Sequence, residues 1–496
     1  MRFYSLLLAI CIACGCSASR KKDLTPRFTV EAGTQPTFLR SVGAELDAHF
    51  HAHHCFRSAG SKSEDWEKVV VPRIKKMGIS SLRVMVLPNW YEINNDDDDP
   101  QHIEWRGFNF QSDEMLGLYE VLDLAEELQI PVTLVPWGTL SGYFMAPGNP
   151  GWVVKPQLLD EYAENITALM IYLIGQKQYT CIQELTPGNE PDGWGIEPSY
   201  YVELCKQLHT RLDQEGMLGR FHLALVDNTD QGGKFDFLKD CTEGLQGIAD
   251  VCVSHTYIFG YETPSADITA WEQQNCQLAH SIGKPHFVGE FGSNRCVGAS
   301  RQLDIDDYRR GILIVRNALA FLAGGASGIS YWQLFDQYYS RTDPYESMQQ
   351  LGLWKSVRKD YASEPYYSEL RCDYQPRPQY FAYSLLSRFL RPGAQVYAMQ
   401  PNETAAQMTL SNALCVQNTD GSWVYVVANL ENEDAQICLQ NEVFPLQGSF
   451  LRYVYSEDRL PSDDSMLEAD SEQVLANGNL QITVPSNTVV LFRSIQ

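Results

Sequence analysis

Between about residues 41 and 393 the chain alternates eight times between a short strand-like run and a longer stretch with helical spacing. The strand-like runs are SVGAELDAHF (41–50), ISSLRVMVLP (79–88), IPVTLVPWG (130–138) and CIQELTPGNE (181–190). FHLALVDNT (221–229), DVCVSHTYI (250–258), KPHFVGEFG (284–292) and GISYWQLFD (328–336) complete the set. These runs are apolar without strict alternation, so both faces of the sheet must be covered, which helices packed on parallel strands achieve. Eight β-then-α units close as a (β/α)8 barrel, an α/β fold whose functional residues gather at the C-terminal ends of the strands. The alternative is a doubly wound open sheet, and it lacks the glycine-rich phosphate turn expected after its first strand.

From about residue 394 the pattern changes to short alternating strands such as SWVYVVANL, SFLRYVYS and NLQITVPSNTVVLFRS, with turn signals at Asp420-Gly421 and Asn477-Gly478. The expected division is a signal at 1–15, a linker at 16–40 with a possible strand joining the C-terminal unit, a barrel at 41–393, and an antiparallel β-sandwich at 394–496. At the N-terminus, Arg2 and the apolar run Leu6 to Ala13 form a secretory signal, too short to span a membrane. Ala13-Cys14-Gly15-Cys16 resembles a bacterial lipobox with Cys16 as lipid anchor. This places the protein outside the cytoplasm, tethered to the outer membrane at the periplasmic or cell-surface side, with no other membrane contact.

The net charge of −24 argues against nucleic acid, because phosphate neutralisation needs a basic face. The 13 cysteines, three of them in the signal region, contain no CxxC pair outside it, so neither a disulfide framework nor a zinc site is read from them. Aromatic residues are 11% of the chain, and some of them need a role beyond the core.

The chemistry lies at the strand ends. The fourth strand ends in Gly188-Asn189-Glu190-Pro191 and the seventh in Gly289-Glu290-Phe291. In a closed barrel these two glutamates face each other across the mouth. Paired carboxylates are what glycoside cleavage needs, one giving a proton to the leaving oxygen and the other attacking the anomeric carbon. Arg83 on the second strand can keep a carboxylate ionised. His255 and Tyr257 end the sixth strand, with Tyr257 able to donate to the nucleophile, and Asn189 is placed to bind a sugar 2-hydroxyl. Trp332 on the eighth strand offers a flat face to a sugar ring.

Asn189-Glu190-Pro191, Glu290, Arg83, His255-x-Tyr257 and Trp332 together resemble the clan A retaining glycoside hydrolases, the (β/α)8 superfamily of many cellulase-, mannanase- and xylosidase-type enzymes. The resemblance implies that Glu190 is the acid/base and Glu290 the nucleophile, and that no cofactor or metal takes part. It covers roughly residues 41–393. The sequence departs from the pattern at Trp137-Gly138, where many cellulase-type members carry histidine.

Other residues carry weaker readings. Trp137 and Trp194 are the leading sugar platforms among Trp90, Trp105, Trp137, Trp152 and Trp194. His49, His51, His53 and His54 cluster after the first strand, where contact with substrate is favoured over metal binding. Asn95 followed by Asp96 to Asp99 reads as a solvated charge run, with a calcium loop as a minor alternative because the spacing matches no EF-hand. Asn165-Ile-Thr and Asn402-Glu-Thr match the glycosylation pattern and are expected to stay bare. The reading favoured is an exported retaining glycoside hydrolase acting on a neutral β-linked glycan. The competing reading is a non-catalytic surface glycan-binding lipoprotein on a barrel scaffold.

Overall fold

The computed structural model describes residues 25–46, 66–97, 99–137, 154–229, 233–258, 260–293, 296–297, 301–302, 304–338, 348–349, 351–355, 374–444, 448–474 and 479–495. Eight parallel strands close a barrel. They are β1 (Ser41–Glu45), β2 (Leu82–Val86), β3 (Val132–Pro136) and β4 (Ile182–Leu185), followed by β5 (His222–Thr229), β6 (Val251–Ile258), β7 (His286–Ser293) and β8 (Gly328–Tyr331). Pairing of β8 with both β7 and β1 completes the ring and excludes the open sheet.

One helix covers the barrel after each strand: α1 (Val71–Met77), α2 (Asp113–Leu128), α3 (Leu159–Met170), α4 (Pro198–Gln214), α5 (Asp236–Leu245), α6 (Ser265–Ser281), α7 (Tyr308–Gly324) and α8 (Pro378–Phe389). Local sequence sets their ends. Ser112 caps α2 by accepting from the Met115 amide, and Gly78 ends α1 in the left-handed conformation that glycine adopts freely. The helices α7 and α8 are buried almost all round, because the barrel lies on one side and a β-sheet on the other.

That sheet has seven strands, in the order 37–38, 395–398, 414–417, 423–429, 488–494, 449–455, 469–474. A second sheet of four strands runs 400–401, 27–30, 435–441, 479–484. Their facing side chains, among them Phe28, Tyr425, Ile437, Phe450 and Ile482, form a core of their own. The N-terminal segment contributes a strand to each sheet. Arg27–Val30 lies parallel to Ala435–Asn441, so the sandwich is not wholly antiparallel.

Cys181, Cys205, Cys241, Cys252, Cys276 and Cys415 are buried free thiols, and Cys438 is buried as well. No described helix is long and apolar enough to cross a membrane. Cys16, the signal region, the histidines at 49–54 and Trp152 lie outside the described residues.

Candidate active site

Closing the barrel brings the predicted strand-end residues into one charged network. Arg83 on β2 is its hub and is only 3% exposed. Its Nη1 donates to Glu45 Oε2 at 3.1 Å and to Glu290 Oε1 at 2.6 Å. Its Nη2 donates to Asn189 Oδ1 at 2.8 Å and Asp227 Oδ2 at 2.6 Å. The planar guanidinium suits this role because its donors have a fixed geometry. The other oxygen of Glu290 accepts from the Tyr257 hydroxyl at 2.7 Å. His255 links the two glutamate branches: Nδ1 lies 3.1 Å from Glu190 Oε1, and Nε2 lies 2.9 Å from Asp227 Oδ1.

Two irregularities aim these side chains. The β5–β6 ladder pairs Val226 with Val253 and then Asn228 with Ser254, so Asp227 is an extra residue on β5. The β6–β7 ladder pairs Ser254 with Val288 and His255 with Glu290, so Gly289 is extra on β7. Such bulges turn a side chain out of the regular alternation, and they concentrate at barrel rims. The backbone here is also strained. Glu190 (φ 48°), Val226 (φ 84°) and Asp227 (φ 49°) all occupy left-handed geometry without being glycine. A hydrogen bond from the Glu190 amide to the Asp227 carbonyl ties the two strand ends together.

Gly289 is required by space. A Cβ there would sit 2.5 Å from Val253 Cγ1 and 3.3 Å from both Asp227 Oδ1 and His255 Cδ2. Gly289→Ala is therefore expected to destabilise the fold by about 1–3 kcal/mol and to lower activity by shifting the Asp227–His255 pair. Chemical denaturation alongside steady-state kinetics checks this, and a wild-type midpoint with wild-type rates would contradict it.

Burial and charge set the protonation states. Burial alone would lower His255, but Asp227 and Glu290 outweigh it and raise the imidazole to about 10. Burial likewise disfavours the Arg83 charge, yet Asp227, Glu45 and Glu290 raise it well above its usual value. Burial would raise Asp227, but Arg83 and His255 hold it below the usual carboxylate range. Burial raises Glu290 above that range, against the pull of His255 and Arg83. Because folding raises the His255 pKa, its stabilisation is complete below about pH 6.5 and is lost as pH climbs through about 10. Thermal melts across that window should show this decline, and it should be absent in His255→Asn.

The aromatic candidates separate by exposure. Trp332 follows β8, is 7% exposed, and packs on Met85 and Val135 beside Trp137 and Tyr257. The rings of Trp137 and Trp194 lie 6.3 Å apart and tilted by 47°, with Trp194 38% exposed at the cleft. Trp90 is core, and Trp105 lies against Phe108 and Phe110 on the second loop. Glu45 and Asp227 were missed by sequence reasoning. Both are single acids at strand ends, and only the closed barrel and the Asp227 bulge give them a partner. A second linked set, Ser254–His286–Glu272, has the order of an activated nucleophile, but it is sealed in the wall with no access to substrate.

No protein-family model and no curated protein matches the sequence. Solved structures do match it. A conserved exported protein from Bacteroides fragilis aligns with TM-score 0.68 at 12% identity, over 94% of this chain and 100% of that one. A GH30 endoxylanase from Clostridium papyrosolvens aligns at 0.63 and 14%, over 95% and 100%. An endo-β1,6-glucanase aligns at 0.64 and 14%, over 95% and 94%. The chain shares the fold of these solved structures, a (β/α)8 barrel with a β-sandwich. At such identities the likeness is one of fold.

Proposed function

We propose that the protein is a retaining glycoside hydrolase acting on a neutral β-linked glycan. The observation that carries this reading is a distance. A carboxylate oxygen of Glu190, one of Glu290 and a nitrogen of His255 all lie within 4.8 Å of one another. Retaining pairs stand ~5–5.5 Å apart, whereas inverting pairs need ~6.5–9.5 Å to admit a water.

The environments divide the labour. The Glu290 side chain is 6% exposed and held on both oxygens, which suits a fixed nucleophile. The Glu190 side chain is 27% exposed on the cleft side, where protons are exchanged with leaving group and water. In the first step Glu290 attacks the anomeric carbon while the Glu190 proton passes to the departing oxygen. In the second, Glu190 takes a proton from water, water attacks the same carbon, and the bond to Glu290 breaks. Arg83 and Tyr257 are positioning residues that orient Glu290. The Trp137 indole N–H, buried and without a partner among the described residues, is a donor available to a sugar hydroxyl beside Trp194.

Release of reducing ends from a panel of β-linked polysaccharides tests the activity, with the first-formed anomer read by proton NMR. Retention predicts the β-anomer, and an initial α-anomer would refute the mechanism. Glu190→Ala should hydrolyse an aryl glycoside with a good leaving group slowly, and added azide should restore turnover and give a β-glycosyl azide. The same reading includes export with lipidation at Cys16, so Cys16→Ala should move the protein from membranes to the soluble fraction.

A further inference from the structure

The acidic loop after β2 does not simply face solvent. Glu92 is 1% exposed and Glu164, on α3, is 0% exposed. Oxygens of Glu92, Asp96 and Glu164 lie within 4.8 Å of one another. Each oxygen of Glu92 and Asp96 already accepts one hydrogen bond. The donors are the Asp96 amide (3.0 Å) and Asn165 Nδ2 (2.5 Å) on Glu92, and the Asp97 (2.8 Å) and Glu104 (2.7 Å) amides on Asp96. Each retains a lone pair. Glu164 differs: neither of its oxygens has a hydrogen-bond partner among the described residues. A buried carboxylate with nothing to accept from is costly, and nature resolves it with a proton or a cation.

Everything else about the cluster orders it for an ion. The Tyr91 hydroxyl donates to Asn165 Oδ1 at 2.6 Å, which fixes the amide so that its nitrogen faces Glu92. That also removes Asn165, fully buried, from the glycosylation candidates. Gly107 lets the returning loop press on Asp96, since a Cβ there would lie 2.3 Å from Asp96 Cβ. A stack of Tyr91, Phe110 and Tyr172 holds the same loop, with Phe110 and Tyr172 at 3.9 Å. A solvent-open hollow of about 280 Å³, lined by Pro100, Gln101, Asp160 and Arg211 among others, runs between the loop and helices α3 and α4. Asp96 is only partly buried, so an ion reaches the cluster from the loop side.

We propose that Glu92, Asp96 and Glu164 bind a hard divalent cation, calcium, that clamps the loop after β2 to α3. The donors are all oxygen, which excludes soft metals. Three carboxylates offer up to six oxygens, the lower end of the 6–8 that calcium takes, and their unequal tethering suits its flexible geometry better than the strict octahedron of magnesium. Arg211 bears on Glu164 but pairs with Glu215 at 3.2 Å, so it leaves the site acidic. The role is structural and independent of the hydrolytic reading.

The test uses the full chain stripped with EDTA. Calorimetric titration with calcium chloride should give one ion per chain, with magnesium at least tenfold weaker. Calcium should raise the Tm by a few degrees relative to EDTA. Glu164→Gln should lose both the binding and the calcium-dependent Tm shift. Asp96→Asn, at a partly exposed position, should weaken binding at least tenfold, and it serves if Glu164→Gln fails to fold. No binding to the wild type, a Tm indifferent to calcium, preference for magnesium, or unchanged binding by either variant would each overturn the proposal.

Discussion

Glu290→Ala should reduce hydrolysis to background while leaving the fold intact. The loss should equal or exceed the ~10²–10⁴-fold that a single proton-transferring group supplies, because no covalent intermediate can form without the nucleophile. Truncation removes a buried carboxylate that burial already pushes above its usual range, so Tm is expected to hold or rise. Circular dichroism and thermal melting establish folding, and turnover of the best substrate from the glycan panel gives the rate. Residual activity within tenfold of wild type would remove Glu290 from the nucleophile's role. Azide supplied to this variant should give the α-glycosyl azide, the opposite stereochemistry to that from Glu190→Ala, so the two roles are distinguishable.

Arg83→Met should be the most damaging substitution for stability. It strands Glu45, Asp227 and Glu290, all buried, without their shared cation. Removing one partner of a buried ion pair costs about 3–5 kcal/mol, mostly from the charges left behind. Arg83→Lys keeps the charge but loses the fork that serves four acceptors at once, so it should recover part of the stability and little of the activity. The kinetic signature has a definite sign. Arg83 draws the Glu290 pKa down, so its loss lets that value rise, and the acid limb of the kcat/KM profile moves to higher pH. Tyr257→Phe removes one donor to the same carboxylate and should shift the limb the same way by less. A drop in rate with an unmoved acid limb would mean that Arg83 serves only the fold.

The barrel was legible because its signal is redundant: eight apolar runs and eight helical stretches point to one architecture. Glu190 and Glu290 stood out because each sits in a distinctive local sequence, although β4 ends at Leu185, so that Glu190 lies on the loop after it, and Glu290 lies within β7. Glu45 and Asp227 were not. Nothing local separates Asp227 from other acids at strand ends, and its position depends on a register shift against β6 that no periodicity reveals. The first strand was read as running to residue 50 but ends at Glu45, where it meets Arg83. Asp99 is exposed, as read for the acidic run, but Asp96 is not simply solvated, because sequence could not place Glu164, some seventy residues on, beside it.

The N-terminal strand ties the beginning of the chain to its end. Arg27–Val30 is made before the barrel, yet it sits between Gln400–Pro401 and Ala435–Asn441, which follow the barrel, and Thr488–Ser494 lies inside the other sheet. As the ribosome works, that first strand must wait, unpaired, through the whole barrel before its neighbours emerge. Contacts so distant in sequence form late and leave an open edge exposed meanwhile. A fragment beginning at residue 394 would lack this strand altogether and would carry the same open edge permanently, so the C-terminal unit should aggregate when expressed alone and recover when residues 25–40 are supplied.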